Sequence, residues 1–176
     1  MSTNFPPGLQ CLNAMAAPMA EKEFLKCCGS PNWARQLTTR RPFASFDQLA
    51  ESAEKIWWSL DETEWLEAFH SHPKIGEKKA AATTSSDAQR WSESEQGGTR
   101  DSSGEIMAEL AQLNHEYQEK FGFIYIVCAT GKSSEEMLSI LKERLPHTTR
   151  EELKIAAGEQ AKITRLRLQK LVDGFA

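Results

Sequence analysis

Helix-start signals recur along this chain at short intervals, and they constrain its fold more than any other feature. Ser30-Pro31 sets a capping hydroxyl ahead of a proline at the first helical position, where a missing N–H costs nothing. Ser45-Phe46-Asp47-Gln48 and Asp61-Glu62-Thr63-Glu64 have the spacing of a capping box. Ser102-Ser103-Gly104-Glu105 and Thr149-x-x-Glu152 open two longer helices. Apolar residues follow at helical spacing: Leu49, Ala53, Ile56 and Trp57 in one segment, then Trp65, Leu66 and Phe69. Ile106, Leu110, Leu113, Tyr117 and Phe121 step by four, three, four and four residues, one face of a helix, before Gly122 stops it. Leu153, Ala156, Ile163, Leu166 and Leu171 form the stripe of the last helix.

The breaks are as clear as the starts. The helix after Asp61 must end near His70, because His72 precedes Pro73 and is biased away from helical geometry. Short helices are expected at about 86–96, halted by Gly97-Gly98, and at 134–145, halted by Pro146. Residues 76–86, rich in Lys, Ala, Thr and Ser, read as a mobile loop. Phe123-Ile124-Tyr125-Ile126-Val127-Cys128 is the one stretch with strand propensity. A lone strand has no partner for its hydrogen bonds, so a buried extended or irregular segment is expected there. The expected fold is all-α: one domain over residues 1–176, a bundle of seven or eight helices, with 1–10 and 174–176 as loose tails.

Composition excludes several classes. With 40% hydrophobic and 26% charged residues, the chain is an ordinary globular sequence. A net charge of −4 offers no basic field for nucleic acid. The longest apolar run, residues 123–129, is far too short to cross a bilayer. The first ten residues lack a secretory signal, and no peroxisomal tripeptide closes the chain. Cys11, Cys27, Cys28 and Cys128 form no C-x-x-C pair, so they read as reduced thiols of a cell interior rather than zinc ligands.

The candidates for chemistry are few. His115 reads as a surface residue in mid-helix, His147 as a turn residue, and His70 as a cation favoured at a helix C-terminus. His72 differs, because Pro73 and Gly76 hold it in a short rigid loop just past a helix end. There an imidazole is either a plain turn residue or an acid/base group titrating near neutrality. His70-x-His72 lacks a third metal ligand at fixed spacing. Ser92, Glu95 and Gln96 share a helix face. That face is either solvated or a hydroxyl, carboxylate and carboxamide set for a small ligand dense in N–H and C=O groups. Arg165 and Arg167 are two apart and cannot both face the core, so one of them can turn to a pocket and hold a carboxylate bidentately. No phosphate loop or dinucleotide fingerprint is present.

Four motifs in order resemble one family. They are His72-Pro73-Lys74-Ile75-Gly76, Ser92-x-x-Glu95-Gln96, Leu113-Asn114-x-x-Tyr117-x-x-Lys120-Phe121-Gly122-Phe123, and Lys162-Ile163 leading to Arg167-Leu168. Together, over about 12–172, they resemble the 2-oxo-4-hydroxy-4-carboxy-5-ureidoimidazoline (OHCU) decarboxylases, above all the decarboxylase half of the plant bifunctional form. The resemblance implies an all-helical carboxy-lyase that turns the ureidoimidazoline made from urate into (S)-allantoin and carbon dioxide, with no metal or organic cofactor. It implies His72 as catalytic acid/base and Glu95 as its carboxylate partner. Ser92, Gln96 and Arg167 become substrate contacts, Arg167 being preferred to Arg165 by its spacing from Ile163. Pro73 and the backbone of Gly122, Phe123, Ile124 and Ile126 line the pocket. Plant relatives carry a transthyretin-like hydroxyisourate hydrolase domain, so this chain is expected either to stand free or to be half of such a protein. A homodimer is expected from the resemblance and from the five tryptophans and eight phenylalanines. The expected compartment is the peroxisome, with the cytoplasm as alternative. Two other readings compete: a helical adaptor without catalysis, and a thiol enzyme using Cys27 or Cys28, for which no motif exists.

Overall fold

The computed structural model describes residues 6–75, 85–99 and 102–176. Among these, every regular element is helical. The helices are α1 Pro7–Ala14, α2 Ala17–Cys27, α3 Pro31–Thr39, α4 Phe46–Ser59, α5 Glu62–Phe69, α6 Ser86–Glu95, α7 Gly104–Phe121, α8 Ser134–Arg144 and α9 Thr149–Asp173, with one 3₁₀ turn at Gly97–Thr99. The all-α expectation holds. The count of nine among the described residues exceeds the expected seven or eight, because α1 and α2 carry no capping side chain to announce them. Residues 7–10, expected to be loose, form the first turn of α1, where Leu9 is fully buried. No helix is long and apolar enough to cross a membrane. The chain divides into two compact units: residues up to Glu67 with Ala161–Ala176, and Ala68–Gln160.

The first unit packs α1 to α4 and the end of α9 around Leu9, Leu12, Phe24, Trp33, Leu37, Leu49 and Ile56, all fully buried. Trp33 stands edge-on to Phe24 at 6.2 Å, and its indole N–H donates to Ala53 O at 3.0 Å, joining α2, α3 and α4. Gly8 is there because α1 meets α9 closely: a Cβ at this position would lie 1.9 Å from Val172 O. The start signals act as read. Ser30 Oγ accepts from Trp33 N–H and Ser45 Oγ from Gln48 N–H, each at 3.2 Å. Asp61 and Glu64 bond each other's backbone N–H at 3.0 and 3.1 Å. One residue of the expected α9 stripe is misplaced. Leu166 is 38% exposed, while Leu168 is fully buried.

The second unit is built on α6, α7, α8 and the first part of α9. Gly122 caps α7 at φ 81°, the left-handed turn that glycine permits. The chain then enters the stretch with strand propensity. Phe123, Tyr125, Ile126, Val127 and Cys128 are buried, yet the segment is irregular. Phe69, Tyr117, Phe121, Phe123 and Tyr125 cluster around it, with ring centroids 4.6 to 6.1 Å apart in contacting pairs. The start of α9 lies one residue earlier than the spacing suggests. Thr148 is the capping hydroxyl and Glu151 its partner, at 3.3 and 2.9 Å. That releases Glu152, which is fully buried and accepts from Tyr117 Oη at 2.6 Å, Arg144 Nε at 2.5 Å and sits 3.0 Å from His147 Nδ1. Most of the loop expected at 76–86 lies outside the described residues; it ends where Ser85 caps α6.

Candidate active site

His72 owes its place to the end of α5. Pro73 stops the helix, and the last turn closes through Ser71 N–H to Ala68 O at 3.2 Å and His72 N–H to Phe69 O at 3.1 Å. His72 is half-buried and its Nε2 is shut off from the surface, whereas His70 is exposed. Phe69, three residues earlier, packs on Phe123 at 5.6 Å. The turn that carries His72 is thereby tied to the irregular segment.

The polar face of α6 is turned inward. Ser92 is 4% exposed and Glu95 and Gln96 are half-buried, while Glu93 and Ser94 between them are exposed. The alternative of a solvated face fails at Ser92. Gln96 N–H bonds Ser92 O at 3.0 Å and closes the helix. Just beyond, a Cβ on Gly98 would lie 2.1 Å from Lys132 O, so only glycine lets the end of α6 approach the turn around Lys132 so closely. Burial pushes the Cys128 thiol up; Lys132 opposes this, and the carboxylates of Glu159 and Glu95 add to it. Glu95 therefore lies within electrostatic range of the far end of the segment that Phe69 touches at its near end.

The segment's own residues follow. Gly122 is exposed, Phe123 and Ile126 are buried, and Ile124 is half-buried. Ile126 C=O accepts from Arg144 Nη1 at 2.8 Å. Burial opposes the charge on Arg144, but Glu152 and the facing oxygens of Tyr117 and Tyr125 outweigh it and raise its pKa. Burial also pushes both tyrosine hydroxyls up, so they stay protonated donors. Tyr125 Oη donates to Met137 O at 3.0 Å.

Of the two arginines in question, Arg167 is the buried one, at 3% exposure. Arg165 is exposed, 5.4 Å from the Phe46 ring and 3.5 Å from Asp47. Arg167 belongs to the first unit and lies near Cys27 and Cys28. Burial pushes the Cys28 thiol up to about 12 and that of Cys27 higher, with Arg167 offsetting part of the effect. Burial that holds both thiols protonated at neutral pH argues against the thiol-enzyme reading. Among the described residues no group of three or more His, Cys, Asp or Glu side chains stands at metal-holding spacing.

Sequence reasoning missed Arg144, Glu152 and Glu159. Glu152 was masked by a plausible cap one residue out of register, and Arg144 and Glu159 look like ordinary charges on helices. No spacing rule would have singled them out.

The sequence pattern of the OHCU decarboxylases matches residues 13–169. The chain belongs to the OHCU decarboxylase family. It is 41% identical over 163 residues to the uric acid degradation bifunctional protein TTL of Arabidopsis thaliana, covering 92% of this chain but only 50% of that protein. Against the 2-oxo-4-hydroxy-4-carboxy-5-ureidoimidazoline decarboxylase of Amia calva, identity is 30% over 163 residues, covering 88% of this chain and 91% of that one. A crystal structure of an OHCU decarboxylase in the presence of (S)-allantoin aligns with a TM-score of 0.75 at 40% identity, covering 86% of this chain and 97% of that one. The chain thus spans about half of the Arabidopsis relative and 91% of the Amia calva one.

Proposed function

We propose that this chain is a cofactor-independent carboxy-lyase that converts OHCU to (S)-allantoin and carbon dioxide in urate degradation. The observation that carries this reading is the family match over residues 13–169. The inward turn of Ser92, Glu95 and Gln96 in that same span supports it.

The chemistry requires little from outside the substrate. The ring carbon that loses its carboxyl group also bears a hydroxyl. When the bond to the carboxylate breaks, its electron pair forms a double bond to the neighbouring carbon, and the adjacent C=N takes up the displaced pair and a proton. The enol-like intermediate then gives up its hydroxyl proton and receives a proton on one face of the neighbouring carbon. His72 and Glu95 perform these proton transfers, a task suited to an imidazole with a carboxylate beside it. Ser92, Gln96 and Pro73 fix the ring with the backbone of residues 122–126. Uncatalysed decay protonates both faces, so positioning supplies the stereochemistry as well as rate.

The enzyme is further proposed to be a homodimer, to reside in the peroxisome, and to act with a hydroxyisourate hydrolase, separate or fused. In support, three of its relatives are named as bifunctional uric acid degradation proteins. The decisive assay supplies urate, urate oxidase and hydroxyisourate hydrolase, then this protein, and follows the ellipticity of the allantoin formed. Rapid growth of the (S) signal is expected. Racemic product at the uncatalysed rate would refute the activity.

A further inference from the structure

A buried backbone needs a partner for each N–H and C=O, and residues 123–128 have no partner strand among the described residues. At Ile126 and Cys128 charged side chains take the place of one. Cys128 N–H donates to Glu159 Oε2 at 2.7 Å, and Cys128 C=O accepts from Lys132 Nζ at 2.8 Å. In an antiparallel ladder a single residue of the neighbouring strand supplies both bonds. Here a carboxylate and an ammonium do so, with the extra strength of charge-assisted hydrogen bonds. Two residues earlier, Arg144 holds Ile126 C=O at 2.8 Å.

These anchors differ in what else they do. Arg144 is locked into the buried network of Glu152 and Tyr117, so its removal leaves an unbalanced buried charge and threatens the fold itself. Glu159 is half-buried on α9 and carries no part of the proposed proton chemistry. Its bond lies where several elements converge. Lys132, which holds the carbonyl of the same residue, is also the residue whose own carbonyl abuts Gly98 at the end of α6. Glu95 and Gln96 stand at that end. The Cys128 thiol senses the charges of Lys132, Glu159 and Glu95 together, after the larger effect of burial.

We propose that Glu159 is a positioning residue for the decarboxylation: by holding Cys128 N–H, its carboxylate fixes the backbone of residues 122–126 relative to Glu95. The inference rests on the proposed function and deepens it. Glu159 touches no reacting atom. It determines where the ring lies when the proton arrives.

Three variants separate this role from a charge effect and from mere stability. Glu159→Gln keeps the shape, and its carboxamide oxygen still accepts from Cys128 N–H. Glu159→Ala removes the acceptor. Glu159→Asp keeps the charge but withdraws it by one methylene. The Gln variant is expected to turn over near the wild-type rate. The Ala and Asp variants are expected to lose about tenfold to a hundredfold in kcat, the scale of a misplacement of about an ångström, and to give allantoin of lower (S) excess. Their kcat–pH profiles should keep the wild-type shape, since the acid/base groups are untouched, and thermal unfolding should remain cooperative well above the assay temperature. Normal turnover in Ala and Asp overturns the proposal, as does a Gln variant as poor as Ala, which would make the charge itself the agent. Should the Ala protein fail to fold, the Asp variant decides alone. Wild-type protein that forms no optically active allantoin overturns the proposed function, and this inference with it.

Discussion

His72 is held by the chain on both sides, with a backbone hydrogen bond to Phe69 behind it and the Pro73 ring ahead. A side chain so placed loses little entropy on meeting a substrate, which is what a proton-transfer group needs. Its proposed partner Glu95 sits on another element, 23 residues on, so any joint action belongs to the fold and not to local sequence. His72→Asn keeps a polar side chain but no titratable group, and Glu95→Gln keeps the shape without the charge. Each is expected to cost at least about a hundredfold in turnover, with circular dichroism unchanged. The double variant should be little worse than the poorer single, because residues acting as a unit are not additive. His70→Asn, at an exposed position, is the control and should stay active. Near-normal turnover in His72→Asn would refute the assignment. The cysteines give an independent check. Cys11 is exposed, while Cys27 and Cys28 are buried with thiols pushed far up. Brief treatment of the native protein with iodoacetamide should modify Cys11 and spare activity, as peptide mapping and turnover would reveal. Loss of turnover in step with labelling at Cys27 or Cys28 would revive the thiol reading.

Elements that announce themselves by caps were legible in the sequence, and those held by long-range bonds were not. Ser30, Ser45, Asp61, Ser103 and Ser133 each cap the helix that follows. The first four of these were visible as local spacing. α1 and α2 begin with proline near the N-terminus of each helix but no capping side chain, and so passed unmarked. Residues 123–128 carried the opposite hazard, strand propensity with no strand. What satisfies Ile126 and Cys128 comes from Arg144, Lys132 and Glu159, between 4 and 31 positions away, which no local rule connects. The candidate site shows the same division. His72 and the face of Ser92, Glu95 and Gln96 could be found from spacing, and the burial of Ser92 and Arg167 came only with the fold. The network that clamps α7, α8 and α9 makes a prediction at this scale. Glu152 is fully buried against Arg144 and Tyr117. Glu152→Ala leaves a buried guanidinium uncompensated and should destabilise by about 3–5 kcal/mol, measured by urea unfolding. His147→Asn, which removes only a partly exposed partner of the same carboxylate, should cost under about 1 kcal/mol. Equal losses in the two variants would mean that His147, not Arg144, balances the charge.

For the molecule as a whole, the all-helical architecture follows from sequence periodicity, but its division into two compact units does not. Two helices run through the division: α5 ends just past Glu67, and α9 continues from the second unit into the first at Ala161. Uninterrupted helical patterns hide such a boundary, since the linkers rich in Gly, Pro or polar residues that usually betray one are absent there. The reaction proposed for this molecule also makes a demand on the whole protein. Decarboxylation needs a place for two electrons, and enzymes commonly recruit a cofactor to provide it. In OHCU the ring C=N beside the reacting carbon already provides it, so the protein has only to bind, orient and move protons. The prediction is that turnover is independent of metal. Exhaustive dialysis against a strong chelator, followed by the coupled urate assay with chelator present, should leave kcat and the (S) excess unchanged. The two auxiliary enzymes are run first and removed by filtration, so that any effect belongs to this chain. A loss of activity that zinc or another divalent ion restores would show that the electron sink in the substrate is insufficient and would overturn the proposed chemistry.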